Sequence, residues 1–325
     1  MNQNSKRYIL GGGISGLVFQ YYNPEYSIIT PDIGGMYANS YVVWLHDTAE
    51  TRKLLSDLGY QDVEHLHKRS YMGYYNKGWI SEKLSPELNL KLIQKKMSNW
   101  NEPLDTSFIP QSFDLSTRGI KDVNYMNVLD VNPADIIKKL DEKHGTIING
   151  KVTRISAETI EYVDGNGETQ SVEYESIIST IPAPFFWKAY GIEKSFRYSP
   201  ITNIITKEKP IKFFDDKFEM VYFDDSVPFT RISHLQGMYA FEFTGEITKE
   251  QFEELFPEYP VEKVVPIKQG RIHQEENEPP QANITFAGRF GKWQFGITTE
   301  HVVKQAIDYK NNNTYEKEST NQKDY

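Results

Sequence analysis

The run Tyr8-Ile9-Leu10 leads straight into Gly11-Gly12-Gly13, and a helix-compatible stretch, Ile14-Ser15-Gly16-Leu17-Val18, follows at once. Gly11, Gly13 and Gly16 hold the G-x-G-x-x-G spacing with which an apolar strand turns directly into a helix. Each position answers a steric demand. Gly11 permits the tight turn, Gly13 lets the backbone approach a pyrophosphate, and Gly16 lets helix and strand pack closely. A helix starting at Ile14 and Ser15 would aim its unpaired N–H groups and positive dipole end at that phosphate. A structural glycine turn is the competing reading, and the place directly after a strand favours the nucleotide.

Asn23-Pro24 stops the first helix within about three turns. A second strand follows at residues 26–30. In a β-α-β unit of this kind a carboxylate at the end of that strand bonds the ribose hydroxyls. Thr30 and Pro31 stand there instead, which leaves Asp32 either as the ribose ligand or as a turn residue. Gly34 and Gly35, with Met36 after them, form a second bend suited to passing beneath an extended cofactor, or a plain surface loop.

Further along, the pattern alternates between two kinds of segment. Residues 1–48, 130–182 and 271–309 read as three parts of a Rossmann-like α/β nucleotide-binding domain. Residues 49–129 and 183–270 read as an interleaved, mixed α+β substrate domain. Within these, 48–58 reads as a helix ended by Gly59, 71–79 as an aromatic hairpin, and 85–100 as a helix. A proline-started helix over 133–143 precedes a strand interrupted at Asn149-Gly150. Asp164-Gly165-Asn166-Gly167 marks a hairpin, and 177–182 a buried strand that ends abruptly. Strands at 201–206, 220–223, 230–234 and 238–243, a helix at 248–256 capped by Thr248, a strand at 283–289 and a helix at 297–309 complete the pattern. Residues 310–325 are Asn, Lys, Glu, Ser and Thr with little to bury, and read as a disordered tail.

Composition narrows the partners. There are 36 basic and 45 acidic residues, a net charge of -9, and the basic residues are scattered rather than striped, which argues against a nucleic-acid partner. Cysteine is absent, so thiol nucleophiles, thiolate metal sites and disulfides are all excluded. No His/Asp/Glu cluster has metal-ligand spacing. The leader Met1 to Arg7 is polar, and no apolar run approaches the ~18 residues that span a bilayer. A cytoplasmic protein with a small-molecule substrate and no membrane partner is expected; nothing in the sequence sets an oligomeric state.

Several separated segments, taken in order, carry a resemblance: Gly11-x-Gly13-x-x-Gly16, Ile33-Gly34-Gly35, Gly150-Lys151-Val152, Ile178-Ser179-Thr180-Ile181-Pro182, and the run from Phe286 to Phe295. Together they resemble FAD-dependent amine oxidases and protoporphyrinogen oxidases and, most closely in the last segment, UDP-galactopyranose mutases. The resemblance extends to about residue 309. It implies FAD as cofactor, held at its pyrophosphate by Gly11, Gly13 and Gly16, and at adenine by the Val152 backbone. Gly288 and Arg289 would meet the pyrophosphate or ribityl chain. Ile297, opening the last helix, would turn N–H groups toward the flavin pyrimidine edge, where a helix N-terminus stabilises negative charge by roughly 0.3–2 kcal/mol. Thr180 and Phe295 fall in the matching segments. The missing ribose carboxylate, the short first helix and the lack of a GE-type start in the last segment depart from the amine oxidase pattern.

For the chemistry itself the candidates are His46, Arg231 and Trp293, with the aromatics near Tyr71. His46 is either a polar residue facing the flavin or a packed core histidine. Arg231 is either a bidentate ligand for a substrate carboxylate or phosphate, or a strand arginine facing solvent. Lys268 and Lys292 could each hold a water near the flavin. Three readings follow: an FAD-dependent oxidoreductase taking hydride from an amine or other small organic substrate; a mutase-like, non-redox sugar-nucleotide isomerase using reduced FAD; and a dinucleotide-binding protein without catalysis.

Overall fold

The computed structural model describes residues 6–35, 45–61, 63, 65–75, 78–80, 95, 126–129, 131–143, 145–213, 218–223, 227–235, 237–272, 275–294 and 296–321. The reading of 85–100 as a helix falls almost wholly outside them, as do Met36 and Phe295.

The chain opens with β1 (Arg7–Gly13), α1 (Ile14–Tyr22) and β2 (Ser27–Gly34). Much later it returns to the same sheet with β7 (Ile147–Ile155), β8 (Thr159–Asp164), β9 (Thr169–Glu173), β10 (Ser176–Ser179) and β16 (Ile284–Phe286). The strand order is β16-β10-β1-β2-β7-β8-β9, parallel from β16 to β7 and an antiparallel meander beyond. Buried on both faces, the parallel strands are apolar at consecutive positions, and neighbouring residues feed opposite cores. Ile9, Ile28 and Ile178 enter one cluster, with Leu17, Val18 and Phe19 of α1. Leu10, Ile29 and Ile177 enter the other, with Phe186, Trp187 and Phe286.

Helices close both faces. On the first lie α1, α2 (Ala49–Asp57), α3 (Pro133–Glu142) and α7 (Thr299–Asn321), which contribute Leu54, Ile136, Leu140, Val302, Val303 and Ala306 to that core. On the second lies α4 (Ala183–Ala189), a helix that the proline-rich, aromatic segment around it does not announce. Helix α2 begins the stretch assigned by pattern to the substrate domain, yet Leu54 and Leu55 pack beside α1 and α7.

A second sheet has the order β15-β11-β14-β13-β12-β4-β6-β3, with β5 on β4. Its strands are β3 (Leu45–His46), β4 (His65–Tyr75), β5 (Gly78–Ile80), β6 (Met126–Leu129), β11 (Tyr198–Thr206), β12 (Phe218–Phe223), β13 (Arg231–Leu235), β14 (Met238–Thr244) and β15 (Lys263–Ile272). One face carries Ile204, Phe229, Ile232, Phe241 and Phe243, covered by Phe252 and Phe256 of the α5 region (Lys249–Leu255). Thr248 caps α5 reciprocally with Gln251 in a capping box. Short α6 (Gly288–Gly291) joins β16 to the last helix.

Two expectations are corrected and one strand is added. Helix α7 runs to Asn321 instead of ending at Tyr309 before a disordered tail: its first turns are nucleated by the buried Val302, Val303 and Ala306, after which each added residue costs little. Strand β7 is continuous through Asn149-Gly150, and Gly150 is needed because a Cβ there would collide with the Tyr162 ring across the meander. Strand β15, which the pattern did not mark, pairs with β11 in spite of Pro266.

Candidate functional site

Within one peptide, at Gly13 to Ile14, strand becomes helix. Gly13 is the N-cap of α1 with φ -70 and ψ 177, no side chain caps the helix, and its first turn holds no acidic residue. The sequence therefore leaves the positive end of α1 without a built-in counter-group. Around this turn the space for further side chains is already taken. A Cβ on Gly16 would strike the carbonyl oxygen of Gly11, and one on Gly11, whose φ is 101, would sit 2.8 Å from Thr180 Oγ1. At Gly13 the opposite holds: among the described residues nothing lies within 4 Å of where a Cβ would be.

Thr180, just beyond β10, holds the turn in place. Its N–H donates to the Leu10 carbonyl at 2.9 Å, and its hydroxyl donates to the Leu10 and Gly11 carbonyls at 2.9 and 3.2 Å. The far end of the chain arrives at the same spot. Gly288, with φ 70, leaves no room for a Cβ against the Ser15 side chain, and its N–H donates to Gln305 Oε1 of α7 at 3.3 Å. A Cβ on Gly291 would strike the Ser179 carbonyl oxygen. Thus Gly11, Gly13, Ser15, Gly16, Thr180 and Gly288 are brought together from three separate stretches of chain.

Strand β2 accompanies the turn, with Gly12 opposite Ile33 and Gly13 opposite Gly34 after a register shift. Gly35 follows with its would-be Cβ 3.4 Å from Gly13 Cα, so the second glycine bend lies against the first. Asp32 is exposed, and its carbonyl accepts a 2.6 Å bond from the Thr30 hydroxyl. Val152 is half-buried on β7 opposite Tyr162, and Ile297 is half-buried two residues before α7. Arg289 donates from Nη2 to the Gly270 carbonyl at 3.2 Å, tying the closing loop to β15 of the second sheet.

The three residues expected to act on substrate part company. Trp293 is fully buried, with its ring centroid 5.2 Å from that of Phe196 and 6.2 Å from that of Tyr198. It is a core residue, a correction of the expected pocket role: its φ of 51 turns the chain after α6 and sends the indole inward, where burying so large a ring stabilises the fold. Arg231 pairs through Nη2 with Glu242, and Glu242 also pairs with Arg271, which reaches Thr230 and Thr244 hydroxyls at 3.2 and 2.8 Å. The Glu242 side chain is 5% exposed, so this is a buried arginine-carboxylate-arginine group.

His46, on β3, meets Glu300 in the first turn of α7, with Nδ1 to Oε1 at 2.7 Å. Burial by itself would raise the Glu300 carboxyl. Hydrogen bonds from His46, from Thr298 and from its own main-chain N–H, with the electrostatic attraction of the ring, outweigh it and bring the carboxyl down to about 2. Sequence reasoning missed Glu300, Gln305, Glu242 and Arg271. A Thr-Thr-Glu helix start was visible at 298–300, whereas the partner of Glu300 lies 254 residues away. Among the described residues no group of acidic or histidine side chains could hold a metal ion, and no helix is long and apolar enough to cross a membrane.

Strand order, the glycine turn and its closure by the last segment define a Rossmann-type α/β fold carrying a second sheet. No family model and no curated protein matches the sequence. Solved structures do share the fold. The chain is similar to a CLA-producing fatty acid isomerase from P. acnes, at 11% identity and TM-score 0.59, covering 95% of this chain and 98% of that one. It is similar also to a variant of putrescine oxidase redesigned in its cofactor binding, at 10% identity and TM-score 0.57 over 95% and 98% of the two chains. A flavin-dependent halogenase from Brevundimonas sp. BAL3 matches at 10% identity and TM-score 0.51 over 93% and 70%. The fold-level resemblance to the amine oxidase-like flavoproteins is present, and at these identities it is a likeness of fold.

Proposed function

We propose that the chain is an FAD-dependent oxidoreductase of the amine oxidase-like kind, oxidising an amine or another small organic substrate. One observation carries this reading: the open space at Gly13, at the uncapped end of α1, enclosed by Gly34-Gly35 on one side and by the contact of Ser15 with Gly288 on the other. An anionic pyrophosphate fits such a place, since main-chain N–H groups and the helix dipole both favour negative charge there. FAD, when bound, supplies the two-electron acceptor.

The chain's own residues would divide the remaining work. Gly11, Gly16 and Thr180 keep the turn in shape, Val152 offers backbone to the adenine end, and Gly288 and Arg289 close over the middle. The start of α7, after Ile297, offers main-chain N–H groups to the far edge of the cofactor, beside the Glu300 carboxylate of its first turn. The first sheet serves as the nucleotide-binding part and the second as the substrate part, with Arg289 joining them. The exposed Asp32, beside the turn, would take the ribose role.

The test is the absorption spectrum of the purified protein with mass analysis of whatever it releases on denaturation. FAD with a yellow chromophore supports the reading. Release of a nicotinamide nucleotide, or a colourless protein that takes up no added FAD, overturns it. Anaerobic bleaching of the bound flavin by an amine, with peroxide formed on return to air, then identifies the oxidase reaction.

A further inference from the structure

Two side chains outside the glycine turn are held together without any local sequence relation. His46 ends a two-residue strand opposite Val128, and Glu300 stands in the first turn of α7. Their 2.7 Å contact is asymmetric in exposure, the histidine side chain being 31% exposed and the glutamate 13%. Solvent or a ligand can therefore reach the ring while the carboxylate stays behind it. Among the described residues, the titratable groups beside the pair are His301, whose Nδ1 lies 3.8 Å from Glu300 Oε1, and Asp47, which is paired with Arg52.

Which ring nitrogen carries the hydrogen follows from the partner. An ionised carboxylate can only accept, so Nδ1 is the donor and Nε2 of the neutral ring keeps its lone pair. Glu300 is held ionised by its bonds and by its place at a helix N-terminus. The pair is also anchored to the cofactor cradle. Gln305, five residues on and about 7.5 Å along the same helix, accepts the N–H of Gly288, which rests on Ser15.

We propose that His46 and Glu300 are the proton-handling pair of this site, His46 exchanging a proton with substrate through Nε2 and Glu300 acting as its positioning residue through Nδ1. This rests on the flavin reading above. In the step, an N–H or O–H bond of the substrate breaks and its electron pair stays on the heteroatom. The new Nε2–H bond makes an imidazolium, the Glu300 carboxylate balances its charge, and the proton then leaves Nε2 for water.

Nitrogen-15 NMR of the histidine ring tests the positioning without any activity assay. In the unmodified protein the neutral His46 ring is expected as the Nδ1–H tautomer. Glu300→Gln should keep that tautomer, because the amide oxygen still accepts, whereas Glu300→Ala should release the ring to a mixture containing Nε2–H. Carbethoxylation by diethyl pyrocarbonate, mapped by mass spectrometry, tests the facing. With FAD at about ten times its Kd, modification of His46 should slow about tenfold by occupancy, while His301, with a side chain 55% exposed, keeps its rate. An unchanged tautomer in Glu300→Ala, or equal modification of His46 with and without FAD, overturns the proposal. Should Glu300→Ala not fold, an Nε2–H ring in the unmodified protein or in Glu300→Gln overturns it equally. A protein that binds no FAD is recognised from the spectrum and removes the flavin reading, while the tautomer still decides the geometry of the pair.

Discussion

Around Gly13 the protein keeps side chains away, whereas across β13, β14 and β15 it crowds charged ones together. At the first place Gly11, Gly16 and Gly288 are fixed by what a Cβ would strike, and main chain does the holding together with the small Thr180 and Ser15 side chains. At the second, Arg231 and Arg271 converge on a Glu242 that is almost wholly buried. The difference teaches how each can fail. A cradle of backbone is lost by adding an atom, and a buried ion group by removing one.

The largest expected effect lies in the charged group. Glu242→Ala leaves two guanidinium groups without the carboxylate between them, and breaking such a buried group costs about 3–5 kcal/mol, to be read as a lower urea midpoint. A change within experimental error would mean that the arginines are held by other means and that the contrast with the cradle is false. Gly16→Ala comes next. Its new methyl meets the Gly11 carbonyl rather than a flexible side chain, so overpacking should destabilise by about 3 kcal/mol, with strand and helix forced apart.

Acid sharpens the comparison from the other side. The Glu300 carboxyl lies near 2 in the folded protein against 4.5 ordinarily, so the stabilisation it gives is complete above pH 4.5 and is lost as pH falls toward 2. The linked free energy is roughly 3 kcal/mol. Denaturant midpoints of the wild type should therefore fall more steeply between pH 5 and pH 2 than those of Glu300→Gln, and parallel curves would remove the link between β3 and α7. The smallest effect is Thr248→Ala, which removes one half of the capping box of α5 and should cost about 1 kcal/mol in thermal or urea unfolding.

What could be read from the chain follows the same division. The β1-α1 turn, the Thr248 cap and the hairpin at 164–167 rest on residues within a few positions of one another; Asp164, for instance, accepts from the N–H groups of Asn166 and Glu168 itself. The contact of Ser15 with Gly288 could be expected only by analogy, because a whole chain separates them. Pairing of His46 with Glu300, and of Arg231 with Glu242 beside Arg271, depends on which strands lie side by side, and no spacing rule carries that. Trp293 misled because an aromatic next to a glycine-rich loop fits a ligand pocket and a packed core equally well, and a left-handed backbone at the tryptophan decided for the core. Gly150 misled for a related reason: its use is to let Tyr162 pack, which is visible only once β7 and β8 are paired.

The central claim, that the open space at Gly13 belongs to a bound dinucleotide, is tested most directly by Gly13→Ala. The backbone there, at φ -70 and ψ 177, accepts alanine, and none of the described residues stands within 4 Å of the added carbon. Apoprotein stability should thus change by less than about 1 kcal/mol, while FAD titrated against the variant should bind at least about tenfold more weakly, a loss of about 1.4 kcal/mol. Undiminished FAD affinity in a folded Gly13→Ala protein would contradict the account.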